Sequence, residues 1–441
     1  MRSAFPARAV LAVALTALFA SAVSAGDWPR WRGPKGTGIS DEKGLLAEWP
    51  VEGPKLLWQV DKALGRGFSG VVIAGDRVFG MGNVDRKCHL IALSKKDGSR
   101  LWATPVGGGN PNCTPTVDGD RVYALGREGD FVCCNVESGE IVWEKSFPQD
   151  FGGRMMSGWG YSESPVIDGD VLVCTPGSND ALVVALNKKT GETIWKGGVD
   201  TVGGRGRDGA GYSSVVIGNS GGIKQYIQLT GRGVFSFDAK TGDLLWDYNR
   251  IANGTANIPT PLVQGNHVFC STGYGTGAAL LKINKAGSGL EAEEVYFLNA
   301  RDMQNHQGGM IRFQDHIYCG HGHNKGFPLC ITLESGKQAW SGGRGPGSGS
   351  AAILIADGHL YFRYEDGTMA LIEATPEEYR LKGSFKLASV KGKSWPHPAI
   401  SDGLLYLRDQ DTLMVYDVRA NNARKLSSCE ARTGRGLAFS F

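Results

Sequence analysis

One seven-residue formula occurs five times along this chain of 441 residues. The copies run Lys96–Trp102, Glu137–Trp143, Lys189–Trp195, Lys240–Trp246 and Glu334–Trp340. Each is a polar turn with Gly, followed by a short apolar strand that ends in Trp. Recurrence about every 40 to 50 residues is the signature of a β-propeller, in which each repeat is one four-stranded blade. A single repeat cannot bury its apolar face, so the units must stack side by side.

A second formula lies between the Trp segments: an apolar strand, an Asp-Gly turn and another apolar strand. It is clearest at Val71–Phe79, Pro115–Tyr123 and Pro165–Val173, and weaker copies begin at Val215, Pro261, Met310, Ile353 and Pro398. Asp-Gly between apolar runs is a strong hairpin signal, because tight hairpin turns need positive φ. The eight hairpins match eight strand ends: Trp58, Trp102, Trp143, Trp195, Trp246, Phe297, Trp340 and Phe385. Phe297 and Phe385 stand in degenerate repeats. The last hairpin, near Asp402 and Gly403, has no Trp strand after it, and the strand Leu56-Leu57-Trp58-Gln59-Val60 has no hairpin before it. Joining them closes the ring and covers its open edges. The expectation is an all-β, eight-bladed β-propeller of four-stranded antiparallel blades over 56–418, closed by the N-terminal strand. The Trp residues read as packing between blades.

Outside the ring, Arg2 and Arg8, the apolar run Ala9 to Ala20 and Ala22-Val23-Ser24-Ala25 make residues 1–25 read as a cleaved signal peptide. No Cys follows the run, so a lipid anchor is not indicated and a periplasmic or secreted protein is expected. Residues 26–55 read as an extension packed on one face, with Trp28 and Trp31 as anchors, and 419–441 as a tail. The 47 Lys and Arg less the two of the leader, against 44 Asp and Glu, leave a charge near +1. That gives no electrostatic case for nucleic acid or anionic membrane, and no later stretch is long and apolar enough to span a bilayer. A monomer is expected. The 65 Gly fit many short turns. The nine Cys are an odd number, mostly inside apolar strands, and read chiefly as small buried hydrophobes. Cys319 with Cys330 is the candidate disulfide.

The innermost strand of each blade lines the channel, so the segments leading into the hairpins form a ring. They include Gly67–Gly70, Asn112–Thr114, Gly160–Ser164, Gly211–Ser214, Asn257–Thr260, Asn305–Gly309, Gly347–Ser350 and Trp395–His397. These are polar, aromatic and Gly-rich, and a concave site with convergent polar groups is the default binding hypothesis. The candidate ligand-binding residues are Trp159, Tyr161, Glu163, Tyr212, His306, Gln307, Trp395, His397 and Arg408. Trp and Tyr can stack a flat ligand, and Arg154 or Arg408 can pair with its carboxylates. The competing reading is that these groups hold water and satisfy strand ends. His321-Gly322-His323 places two imidazoles close together but lacks a third ligand, so a polar loop is favoured and no metal site is assigned. The Gly-rich runs Gly203–Gly211 and Gly342–Gly349 lack the Lys-Ser/Thr ending of a phosphate loop. Cys133-Cys134 lies in what reads as a regular strand, whose neighbouring side chains face opposite ways. Two separate thiols are expected there.

The Thr-Gly-x-x-x-Trp ending of Lys189–Trp195 and Lys240–Trp246 resembles the pyrroloquinoline quinone (PQQ)-like propeller repeat, over roughly Leu56 to Val418. Trp28–Pro34, Gly273–Gly277 and Arg408–Asp411 look like segments of exported PQQ-like propellers of planctomycete-type bacteria. The resemblance implies the fold. It implies two functions: a BamB-like scaffold that binds a protein, or a PQQ-dependent alcohol or sugar dehydrogenase with Ca²⁺, an Asp base and a vicinal disulfide. The chain offers no residue-by-residue match to that catalytic set. The leading expectation is therefore a non-catalytic exported propeller binding a protein, peptide or polysaccharide at its funnel or rim loops. The alternative is a PQQ-dependent oxidoreductase with a divergent funnel site. A glycan lyase or hydrolase would need paired carboxylates across the channel, and Glu163 is the visible candidate for one alone.

Overall fold

The structure, a computed structural model, describes residues 26–200 and 203–420. The proposed leader and nearly all of the tail, including Cys429, lie outside the described residues. Eight separate sheets of four strands follow one another around the ring. The first blade is Val71–Ala74, Arg77–Val84, Lys87–Ser94 and Arg100–Gly108, each antiparallel to the next. The last blade takes Ala399–Ser401, Leu404–Asp409 and Thr412–Asp417 from the C-terminal end, and Lys55–Val60 from the N-terminal end as its outer strand. Closure by the N-terminal strand is as expected from the orphan Trp58 strand. First strands contact first strands of neighbouring blades, so they surround the axis. Among the described residues the one α-helix is Phe147–Phe151, and no helix is long and apolar enough to cross a membrane.

The repeat formula is explained by what its Trp touches. Trp102, Trp143, Trp195 and Trp340 donate their indole N–H to the carbonyls of Val136, Lys188, Ala239 and Thr375 in the following blade. The turn glycine of that blade lies over the ring. Gly139, at φ 75°, would place a Cβ 2.6 Å from Trp102, so both its conformation and the space demand Gly. Seven clusters of buried residues, most of them lying between adjacent blades, make the core.

Two degenerate repeats differ from the sequence reading. In the fifth blade a β-bulge between Leu280 and Leu281 sets Tyr296, not Phe297, at the Trp position. Tyr296 accordingly donates its hydroxyl to Leu333 O and lies under Gly336, while Phe297 turns back and carries the Arg250 guanidinium over its ring. In the seventh blade the bulge puts Gly383 at that position. The gap is filled from elsewhere: Trp49 of the N-terminal extension donates its backbone N–H to Lys382 O and packs edge-on against Tyr361 and Phe385. Phe385 lies under Gly53 as the Trp rings lie under their glycines.

The extension therefore does more than lie on a face. Trp28 pairs with Ile73 of the first blade, and Pro29 O accepts from Val117 of the second. Arg32 then reaches Met310 O of the sixth blade at 2.6 Å, and Ser40 N–H reaches Ile355 O of the seventh. The segment crosses the axis at the end where the first strands finish, and closes that end of the channel.

All eight described cysteines are free and buried. The proposed Cys319–Cys330 bridge is not formed, because the two residues face different ways. Cys319 packs between the fifth and sixth blades, and Cys330 between the sixth and seventh. Cys133 and Cys134 are likewise separate thiols in the strand Asp130–Asn135, both pushed up to about 12 by burial.

Candidate functional site

The ring holds a cup of about 400 Å³ that rests on the extension and opens away from it. Its floor is Trp31, whose ring meets His397 edge-on at 5.4 Å. One wall is the cluster Phe68, Trp159 and Trp395, with centroids 4.9 to 6.2 Å apart. The facing wall is Tyr274, His306 and His323, with centroids 4.3 to 5.4 Å apart. Glu365 and Lys393 also line the cup and pair at 3.3 Å. Burial works against the Glu365 charge, but the Trp395 indole and the Lys393 ammonium outweigh it and hold the carboxyl below its usual range.

The ring hydroxyls serve the fold first. Gly70 N–H donates to Thr114 Oγ1, Thr114 N–H to Ser164 Oγ, Ser164 N–H to Ser214 Oγ and Ser214 N–H to Thr260 Oγ1. Each hydroxyl thus satisfies the strand-entry N–H of the blade before it, as buried polar groups must be satisfied.

Of the nine candidate residues, Trp159, Tyr212, His306, Gln307, Trp395 and His397 line the cup. His306 is fixed at both ring nitrogens, by Ser350 Oγ at 2.6 Å and Tyr274 OH at 3.1 Å. Burial and then the neighbouring His323 push it down to about 4. Burial and then Arg32 push His397 to the same value. Both imidazoles are neutral at pH 7. Neither protonates readily, so they act as hydrogen-bonding and stacking groups.

The other three candidates are elsewhere. Tyr161 is buried against Phe147 and donates its hydroxyl to Pro176 O. Arg408 is buried where the last blade meets the first, on carbonyls. Glu163 is buried between the third and fourth blades, accepting from Thr175 N–H at 2.5 Å and Gln228 Nε2 at 3.2 Å. Arg154 is at the exposed rim, paired with Asp208.

Burial pushes the Glu163 carboxyl up from 4.5 to about 7. The folded state then holds the Glu163 proton between those values and the unfolded chain does not, so this group contributes stability at low pH that is lost as pH rises through 7. The loss is about 3 kcal/mol. His306 and His397 titrate with the opposite sign between about 4 and 6.5, so the useful quantity is a difference. Glu163→Gln, measured by urea midpoint, is expected to start below wild type at pH 4.5, because its amide nitrogen faces Gln228 Nε2. It should then gain on wild type by about 3 kcal/mol by pH 8. A pH-independent difference would show that Glu163 is ionised throughout.

Sequence reasoning missed Trp31, Phe68, Tyr274, His323, Glu365 and Lys393 as a group. Tyr274, His323 and Glu365 come from turns between second and third strands. In an up-and-down blade those turns lie at the same end as the segments entering the first strand, so blade alternation was the available signal. Tyr274 and His323 hold positive φ, at 56° and 54°, strain that clusters at functional sites. His321 accepts Gln304 N–H through Nδ1, while His323 joins the cup wall, so the two do not act as a pair.

The comparisons agree with this architecture. A PQQ-type repeat family model, described as Outer membrane protein assembly factor BamB, matches residues 50–126 and 86–342. The Shewanella oneidensis protein of that name is 24% identical over 270 residues, covering 58% of this chain and 63% of its own length, so less than two thirds of the relative is matched. Among solved structures, BamB from Moraxella catarrhalis superposes with a TM-score of 0.57 at 11% identity, over 82% of this chain and 99% of that one. Quinohemoprotein alcohol dehydrogenase from Comamonas testosteroni gives 0.61 at 13% identity, over 90% and 81%. At such identities the structural likeness is one of fold alone, and it reaches both a scaffold and an oxidoreductase. With the family model matched over more than half of the chain and its repeats closed into eight blades, this chain belongs to the PQQ-like repeat β-propellers of the BamB family.

Proposed function

We propose that this chain is an exported binding propeller that holds a ligand or partner segment in its axial cup without changing it chemically. The observation that carries the reading is the blind cup itself: aromatic on two walls, floored by Trp31, with neutral imidazoles and its one carboxylate already paired. Enclosed aromatic surface with few fixed polar groups binds by burial and shape. The relative's name supports a protein or peptide partner, and the stacking walls support a polysaccharide equally. Export rests on the leader read over residues 1–25, and the protein acts as a monomer.

The quinoprotein likeness raises PQQ with Ca²⁺ for the same place, and the residues present do not fit that pair. Ca²⁺ takes six to eight oxygen ligands, usually several carboxylates, and the cup supplies Glu365 alone. Cys133 and Cys134 are separate thiols in the core of the second blade.

Two measurements test the reading. Titration of tryptophan fluorescence with PQQ, with and without Ca²⁺, is expected to stay flat, and no alcohol or sugar should drive dye reduction. Saturable quenching together with dye reduction would replace the binding role by the oxidoreductase. A thermal-shift screen of peptides and saccharides should yield a ligand whose shift disappears in Trp395→Ala.

A further inference from the structure

Just outside the cup is a second recess of about 490 Å³, and its charge differs from the cup's. Arg127 and Arg207 line it, together with Ser157, Trp159, Thr255 and Tyr274, and no acidic residue does. The Arg127 guanidinium donates to one backbone carbonyl, Gly158 O at 3.0 Å. The Arg207 guanidinium has no hydrogen bond or ion pair among the described residues. Nearby Arg154 and Arg232, by contrast, share Asp208. The lip therefore carries two uncompensated cations above a cup whose Glu365 and Lys393 cancel.

Between the two chambers stand Trp159 and Tyr274, which line both. Trp159 is 50% exposed and Tyr274 39%, so both keep ring surface open to a ligand. The Trp159 platform is fixed: Asn112 Nδ2 donates to its carbonyl at 3.1 Å, and Tyr161 N–H to Arg127 O at 2.9 Å. Phe68 and Trp395 meet Trp159 edge-on, at 74° and 65°. It thus offers one open face with no parallel partner opposite. A flat conjugated ligand gains most between two faces. A sugar ring uses one, laying its C–H groups on the negative π face and keeping its hydroxyls at the polar edge.

We propose that this lip binds an acidic oligosaccharide, with a sugar ring on Trp159 and uronate carboxylates on Arg127 and Arg207. The inference rests on the binding reading above and names its ligand class. Arginine forks take carboxylates bidentately, and a ligand of several rings would pass from the charged recess into the neutral cup. Neutral saccharides lack the anion, and an acidic peptide supplies the anion without a saturated ring to lie flat on the single open face of Trp159.

The test titrates the full-length protein with trigalacturonate and with its neutral counterpart galactotriose, followed by tryptophan fluorescence and calorimetry. Trigalacturonate is expected to bind saturably and at least about tenfold more tightly than galactotriose, one charged hydrogen-bonded contact being worth roughly that factor or more. Binding should weaken as salt is raised. Arg207→Gln should lower affinity for trigalacturonate about tenfold at unchanged melting temperature, since its side chain supports nothing in the fold, and leave galactotriose unaffected. Trp159→Ala should abolish both. Equal affinity for the two sugars, no binding of either, or an Arg207→Gln variant that binds as wild type overturns the acidic-saccharide proposal. A peptide, or a neutral sugar bound at least as tightly as trigalacturonate, held in a Trp159-dependent way would do so while leaving the binding reading intact. Dye reduction with PQQ would overturn the binding reading beneath it.

Discussion

Arg408→Met is expected to lower folding stability by about 3–5 kcal/mol, read as a fall in the denaturant midpoint at unchanged slope. Arg408 is fully buried on the strand Leu404–Asp409 of the last blade. Its guanidinium donates to Ser69 O at 3.0 Å, Met81 O at 2.5 Å, Gly65 O at 2.9 Å and Gln410 O at 2.7 Å. Three of those carbonyls belong to the first blade and the segment entering it, so one side chain fastens the last blade to the first. Its own backbone carbonyl accepts from Arg363 of the seventh blade, which also donates to Pro396 O and Ser394 Oγ. Methionine leaves the carbonyls buried and unmet, at about 1–3 kcal/mol each. Against that stands the recovered cost of burying a cation, which burial has already pushed down to about 9. The net loss is therefore well below the sum of the four. Arg408→Lys keeps the charge but not the planar fork that spans four acceptors, and an intermediate loss is expected. A Met variant within about 1 kcal/mol of wild type, the scale of a surface change, would mean that closure depends on the Lys55–Val60 strand and not on this side chain.

Arg408 also shows what the sequence could and could not tell. Blade number was legible because the Trp and Asp-Gly formulas report local chemistry: a ring under a turn glycine, a hairpin that needs positive φ. The closure was legible because one strand lacked a hairpin and one hairpin lacked a strand. Side-chain destination was less so. Tyr161 and Glu163 belong to the right ring segment, yet both turn away between blades while Ser162 and Ser164, of the other parity, face the cup, and Trp159 reaches it from the turn before them. Arg408, a candidate to pair with ligand carboxylates, spends its four hydrogen bonds on backbone carbonyls. The one-residue error at Phe297 arose because the bulge recurs in every blade and fixes the position, while Tyr296 and Phe297 are both aromatic and composition does not choose between them. Tyr274 and His323 lie in segments with other local signals, a Gly-rich turn and a His-Gly-His run, and only the return of alternate turns to one face brings them together. That Trp49 stands in for a missing Trp at Gly383 depends on a contact between residues more than 300 apart, which no local pattern records.

The N-terminal extension gives the second large effect. Trp49→Ala is expected to cost about 3–5 kcal/mol, and Trp28→Ala a comparable amount, as for other buried Trp truncations. Trp49 is 6% exposed and Trp28 3%. Trp49 fills the space that Gly383 leaves in the seventh blade, where its Cβ lies 2.8 Å from the Cβ position that Gly383 lacks. Tyr361 and Phe385 already hold that gap from both sides, so no neighbour can collapse into it. Trp28 forms the opposite anchor by pairing with Ile73 of the first blade. Trp31, the floor of the cup, hangs between these anchors. The double variant should therefore lose more than stability. Its segment 26–50 should become open to limited proteolysis under conditions where wild type is protected. Ligand affinity should fall too, although neither Trp touches the cup. If proteolysis of the double variant matched wild type, the extension would be held by its backbone pairing alone, and the cup floor would be independent of its two tryptophan anchors.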